Sequence, residues 1–264
     1  MPLTVAHPVA AIPLLKPLRA LGVLSALVIG SLMSDVPLFL PVSLRRNVSH
    51  SLSGVFWFCL PLGLVTYILF DRVLERPLSA LMPEGMRRRL AYVQRTPRPP
   101  AWSPAVIVSL LAGAMTHVAW DSFTHGGAAV ARLLPSIENR LFTVSGYTVY
   151  VFSVLQHASS LLGTLALMLW IWRWYRKAPE METRLAAAPS DPARRRIVAA
   201  IAAAVIAAMA VAGASRFPVT LTLRALQPLA RGTIVAGLAS LFMAVMIYAV
   251  AWHWHERRSA RRAA

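Results

Sequence analysis

Cysteine is almost missing from this sequence: Cys59 is the single thiol in 264 residues. No intrachain disulfide can form, and a metal site built from thiolates is excluded. Acidic residues are scarce, 10 Asp and Glu against 27 Lys and Arg. There is no glycine loop of the phosphate-binding kind and no nucleophile elbow, which removes P-loop nucleotide chemistry and the serine-elbow hydrolases. No internal repeat is visible. The N-terminus lacks the basic start and small-residue cleavage site of a cleaved signal peptide. The stretches between apolar runs leave no room for a soluble domain.

What is abundant is apolar surface. Hydrophobic residues make up 57% of the chain, and the mean hydropathy is +0.59. Six apolar segments, roughly 18–34, 52–70, 104–123, 147–172, 197–215 and 232–254, approach the about 20 helical residues that cross a hydrocarbon core. The expected fold is an all-α, polytopic transmembrane helical bundle of about six helices. Segment 72–100 holds seven arginines and segment 173–196 six arginines and one lysine, while the tail adds Arg257, Arg258, Arg261 and Arg262. The alternate loops carry only Arg45 and Arg46; Arg132 and Arg140; and Arg216, Arg224 and Arg231. The positive-inside rule then expects both termini in the cytoplasm. The formal net charge of +17 reads as topology and contact with lipid headgroups, with no nucleic acid expected. Residues 1–17 are apolar but broken by Pro8, Pro13 and Pro17, and suit either an interfacial helix or half of a re-entrant hairpin. Residues 1–175 are expected to form a membrane domain carrying any polar site, and 176–264 an Arg-rich linker with two scaffold helices of the same bundle.

The third segment ends in Gly113-Ala114-Met115-Thr116-His117-Val118-Ala119-Trp120-Asp121-Ser122-Phe123-Thr124-His125. Spacing of four and four sets His117, Asp121 and His125 on one helix face. Ionisable groups are costly in lipid, so such a stripe marks a site or a partnered polar core. Charge bias and helix rise bring Asp35, His50, His117, Asp121, His125 and His157 towards one side of the membrane, with His117 about 9 Å deeper than Phe123. With His7 these are seven candidate ligands for one or two metals. Imidazoles and carboxylates suit a divalent cation such as zinc, manganese or iron, which would help activate water for hydrolysis. Asp35, His117 and Asp121 are the candidate catalytic residues. The competing reading is a hydrogen-bonded polar knot joining helices 3 and 4 through His117, Asp121 and His157. His125 either joins the site or faces water beyond the helix end. His253 and His255 read as interfacial residues among Trp and Arg. Ser51, Ser159 and Ser160 read as capping or packing hydroxyls, and Gln156 as a residue that could orient a ligand.

Thr4-Val5-Ala6-His7-Pro8, Leu27 to Pro37, His50-Ser51 and the stretch from Gly113 to His125 together resemble a family of bacterial multi-pass membrane proteins known as a domain of unknown function. Gln156-His157 followed by Ser159-Ser160 fits it too, and the resemblance covers most of residues 1–175. More distantly, the chain is similar to the predicted membrane-bound metal-dependent hydrolases. These carry an early His, a Pro-Asp element after the first helix, a His-Ser and a later His-x-x-x-Asp. Ser34 stands here where the usual proline precedes Asp35, and the acidic doublet common after that element is missing. Similar His-x-x-x-Asp spacing occurs in zinc phospholipases C. These resemblances imply a hydrolase of the bacterial inner membrane that acts on a lipid or lipid-linked ester or phosphoester, with membrane lipids as its partners. The alternatives are a metal or small-solute carrier, which needs polar groups at several depths, and a structural protein with a buried polar knot.

Overall fold

The computed structural model describes residues 4–39, 46–95, 97–128, 130, 133–144, 147–181, 188–218 and 223–263. Arg45, Arg132 and Arg184, which entered the charge reading, lie outside the described residues. The fold is all-α and polytopic. Among the described residues, five helices are long and apolar enough to cross a membrane by length and composition, and Leu24–Met33 is a shorter apolar helix. The chain divides into two compact units, one of residues 1–67 with 99–173, the other of residues 68–98 with 174–264. Segment 68–98, which precedes the third apolar run, groups with the C-terminal helices.

In the first unit, α1 (Leu24–Met33) has only 10 residues. At 1.5 Å per residue it spans about 15 Å, half of a hydrocarbon core. By length alone this helix is too short to span that core. Before it, Thr4 to Leu21 runs as short helical turns, because Pro8, Pro13 and Pro17 each withhold a backbone donor. This stretch folds back, and the Thr4 hydroxyl donates to Asp35 Oδ2 at 2.7 Å. Residues 4–35 thus form a hairpin whose two ends meet. Its broken backbone is satisfied internally: Ser109 Oγ accepts from the Val23 amide and donates to the Leu21 carbonyl, both at 2.9 Å.

The second helix, α2 (Leu52–Leu81), is long and interrupted twice. Ser51 caps its start by accepting from the Gly54 amide at 2.9 Å. A wider turn at Val55–Cys59 precedes Pro61, and a second at Phe70–Leu74 precedes Pro77. A proline cannot donate to the carbonyl four residues back, and the wider turn makes room for its ring. A surface helix, α3, covers Glu84–Gln94.

Ser103 and Pro104 open α4 (Pro104–Thr124) in the preferred cap-then-proline order. α1 and α4 pack with their backbones in contact. A Cβ on Gly30 would lie 2.2 Å from the Leu110 carbonyl oxygen, and one on Gly113 would lie 2.3 Å from that of Leu27. Small residues of this kind let apolar helices approach closely in lipid. Leu27, Leu110, Val106 and Val55 fill the surrounding core.

The loop after α4 contains a two-stranded antiparallel hairpin, β1 (Arg140–Val144) and β2 (Tyr147–Tyr150), with Thr143 opposite Thr148. The fourth apolar segment was expected from residue 147; its helix, α5 (Val151–Lys177), starts later. Tyr147-Thr148-Val149-Tyr150 is aromatic and β-branched, and pairs as strand instead.

In the second unit, α6 (Asp191–Ala214) and α7 (Leu223–Ala263) pack through small residues, with Gly237 against Met209. His253 has a structural duty where the sequence suggested only an interfacial one. Its Nε2 lies 3.0 Å from the Val73 carbonyl, the one that Pro77 leaves without an amide. Arg76 pairs with Glu256 at 2.7 Å beside it.

Candidate metal centre

His117 projects from the turn of α4 that follows Gly113. The close approach of α1 puts the Ser31 carbonyl 2.7 Å from His117 Nδ1. A carbonyl only accepts, so Nδ1 carries a proton, and in the neutral ring Nε2 holds the lone pair. His50 is held in the same manner. Its Nδ1 lies 3.1 Å from the Arg46 carbonyl and 3.0 Å from Ser49 Oγ, on the turn Arg46–Ser49. In the neutral ring its Nε2 likewise holds the lone pair.

The two Nε2 atoms face one another and two carboxylates. His50 Nε2 and His117 Nε2 are 3.3 Å apart. His50 Nε2 lies 3.3 Å from Asp35 Oδ1 and 3.1 Å from Asp121 Oδ2. His117 Nε2 lies 3.6 Å from Asp35 Oδ1 and 3.4 Å from Asp121 Oδ2. Asp35, His50, His117 and Asp121 each offer one ligand atom, all within 4.8 Å of one another. Asp35, His117 and Asp121 are buried, and the His50 side chain is 8% exposed. Four electron-rich atoms facing one another in a dry place repel unless a positive charge lies between them. A shared proton or a metal ion would supply it.

The donor set fits a metal. It has two neutral imidazole nitrogens and two carboxylate oxygens, each imidazole oriented by a hydrogen bond on its far nitrogen, as in oriented zinc sites. Thr4 holds Asp35 in the same way through Oδ2. Asp121 Oδ1 is buried without a hydrogen-bond partner. Cys59 takes no part: its thiol is 3.5 Å from Ser34 Oγ and 3.6 Å from the Ser49 carbonyl.

The other expected residues lie around this core. His7 is buried and stacks on His117, ring centroids 3.8 Å apart, with the Trp120 ring edge-on at 5.4 Å. Its Nε2 is 3.6 Å from Asp121 Oδ1, and its Nδ1 has no hydrogen-bond partner. Burial lowers its pKa to about 4, so the ring is neutral. His125 Nδ1 is also 3.6 Å from Asp121 Oδ1. Gln156 Nε2 donates to His125 Nε2 at 2.8 Å, which leaves the His125 proton on Nδ1 facing that carboxylate. Burial lowers the His125 pKa to about 4 against the pull of Asp121. His125 Nδ1 also meets Thr124 Oγ1 at 3.2 Å, so His125 borders Asp121 without a hydrogen bond to its carboxylate.

His157 is not among the converging residues. It is exposed on α5 while its neighbour Gln156 reaches the site. The knot expected between α4 and α5 runs instead through Trp120 Nε1 and Ser159 Oγ, 3.2 Å apart. The sequence pattern did not single out Arg46, whose Nη2 donates to Asp121 Oδ2. Its signal was there: a cation four residues before His50, in a loop otherwise poor in charge.

Apolar membrane-length helices and a buried centre of two histidines and two aspartates define a multi-pass membrane protein with a site that could hold a metal ion. The chain belongs to the family described as a domain of unknown function, DUF4184, whose model matches residues 1–250. No curated protein and no solved structure matches it.

Proposed function

We propose that the protein is a metal-dependent hydrolase of the bacterial inner membrane, acting on a lipid or lipid-linked ester or phosphoester. The observation that carries this reading is the convergence of two imidazole Nε2 lone pairs and two buried carboxylates, each imidazole pinned by a backbone carbonyl. Asp35, His50, His117 and Asp121 hold the cation, with zinc as the expected metal. A divalent cation there supplies Lewis acidity and brings a water nearer its ionisation range. His7 and Trp120 wall the site and exclude bulk water. His125 lies beside Asp121 Oδ1, the oxygen without a hydrogen-bond partner and so the one able to take a proton from attacking water.

The test is elemental analysis of detergent-purified protein, wild type beside Asp121→Asn, a change that keeps the side-chain volume. About one equivalent of divalent metal in the wild type, lost in the variant, supports the reading. A folded wild type that takes up no metal after repletion overturns it.

One observation favours a second reading. The Arg46 guanidinium already neutralises Asp121, and one protonated imidazole would complete a self-contained polar knot. In that case Asp121→Asn lowers thermal stability, and neither protein binds metal.

A further inference from the structure

Arg46 is the one member of this cluster that reaches out of it. Its side chain is 36% exposed, while that of its partner Asp121 is 2% exposed. Its backbone is tied down: the Arg46 carbonyl accepts from the His50 amide at 2.9 Å and from Ser49 Oγ at 3.2 Å, and faces His50 Nδ1. Among the described residues, the guanidinium is held by Asp121 Oδ2 alone. That oxygen is the one a cation between His50 and His117 would take.

Charge selects the ligand. Asp35 and Asp121 carry two negative charges, which one divalent cation cancels. Arg46 then remains as an uncompensated positive charge at the open side of the site. A neutral carboxylic ester would leave it so, whereas a phosphoryl group brings the missing negative charge. The planar fork of guanidinium donors also matches two phosphoryl oxygens.

We infer that Arg46 binds the phosphoryl group of the substrate, and that the substrate class is therefore a phosphoester. This rests on the metal-dependent hydrolase proposed for the same site. With substrate present, the guanidinium exchanges Asp121 Oδ2 for phosphoryl oxygens. In the reaction a water oxygen bonds to phosphorus and the ester P–O bond breaks. Its electron pair goes to the leaving oxygen, which takes up the proton that the water gives up. Arg46 sets specificity by charge and orients the phosphorus towards the metal ligands.

The test is equilibrium dialysis of inorganic phosphate against the full-length, zinc-loaded protein in detergent, with zinc content measured on the same samples. Wild type, Arg46→Gln and Arg46→Lys are compared. Phosphate binds the wild type, Arg46→Gln weakens binding about tenfold or more, and Arg46→Lys falls between, with equal zinc in all three. Unchanged phosphate binding in Arg46→Gln with zinc retained overturns the role of Arg46. Zinc-loaded wild type that binds no phosphate overturns the phosphoester class and leaves the metal reading standing. Wild type that binds no zinc overturns both. Should Arg46→Gln fail to fold, Arg46→Lys decides: weakened phosphate binding with zinc retained supports the assignment, and binding equal to wild type overturns it.

Discussion

Histidines that share a metal preference can still differ in what they contribute, and here the difference lies in what each ring nitrogen faces. His50 and His117 give Nδ1–H to backbone carbonyls and turn Nε2 into the site, whereas His125 turns Nε2 to Gln156 and faces Asp121 with Nδ1. His50→Ala should therefore abolish metal binding. His125→Ala should weaken it about tenfold, because the ring beside Asp121 Oδ1 is lost while the four ligand atoms remain. His157→Ala should leave metal content unchanged, because the side chain is exposed on α5. Plasma emission analysis of the three purified variants checks all of this, and metal loss in His157→Ala would count against the ligand assignment. The spacing of His117, Asp121 and His125 was legible in the sequence because a helix of known rise fixes which residues share a face. The tautomers were not, because they depend on Ser31 and Arg46 carbonyls that no side-chain pattern encodes. Arg46 was read as a topology charge, since a loop arginine carries no periodicity that ties it to a helix.

Elements matter through how close they come. Gly30 and Gly113 let the backbones of α1 and α4 touch, and that contact carries Ser31 to His117. Gly113→Ala should cost about 1–3 kcal/mol, since the new methyl meets a carbonyl oxygen rather than a yielding side chain. Thermal unfolding in detergent measures the loss, and metal content should fall with it. A second prediction concerns α2 and α7. His253→Ala leaves the Val73 carbonyl without its donor, at a cost of about 1–3 kcal/mol. Stability unchanged by that substitution would show that another donor reaches the carbonyl. Pro61, inside the second apolar segment, is a break readable from the sequence, whereas Pro77 lies beyond the end expected for that segment at 70. That His253 answers one of them was not, because 180 residues separate it from Val73. The strands at 140–150 were hidden by their hydrophobicity, which a transmembrane pattern absorbs as readily as a hairpin does.

At the scale of the molecule, the shortness of α1 has a consequence for sidedness. Six apolar runs led to an even count of crossings, because segment 18–34 is long enough on paper. Its proline-broken start and 10-residue helix make it half as long in space. Within the first unit, Thr4 meets Asp35 at the C-terminal end of α4, so residue 4 and the loop after α4 are expected on the same face of the membrane. With Cys59 replaced by Ser, single cysteines at Val5, Leu133 and Trp102, all exposed, report this by impermeant thiol labelling. Val5→Cys and Leu133→Cys should label from one side and Trp102→Cys from the other. Labelling of Val5→Cys together with Trp102→Cys would show α1 to be a full crossing. The contact between Gly30 and Gly113 also bears on how this chain tolerates change. Neither residue offers an atom to a metal, yet any larger side chain at either pushes His117 off its carbonyl. In a scan of every substitution for metal uptake, those two glycines would be as intolerant as the ligands themselves, and His157 would accept nearly anything.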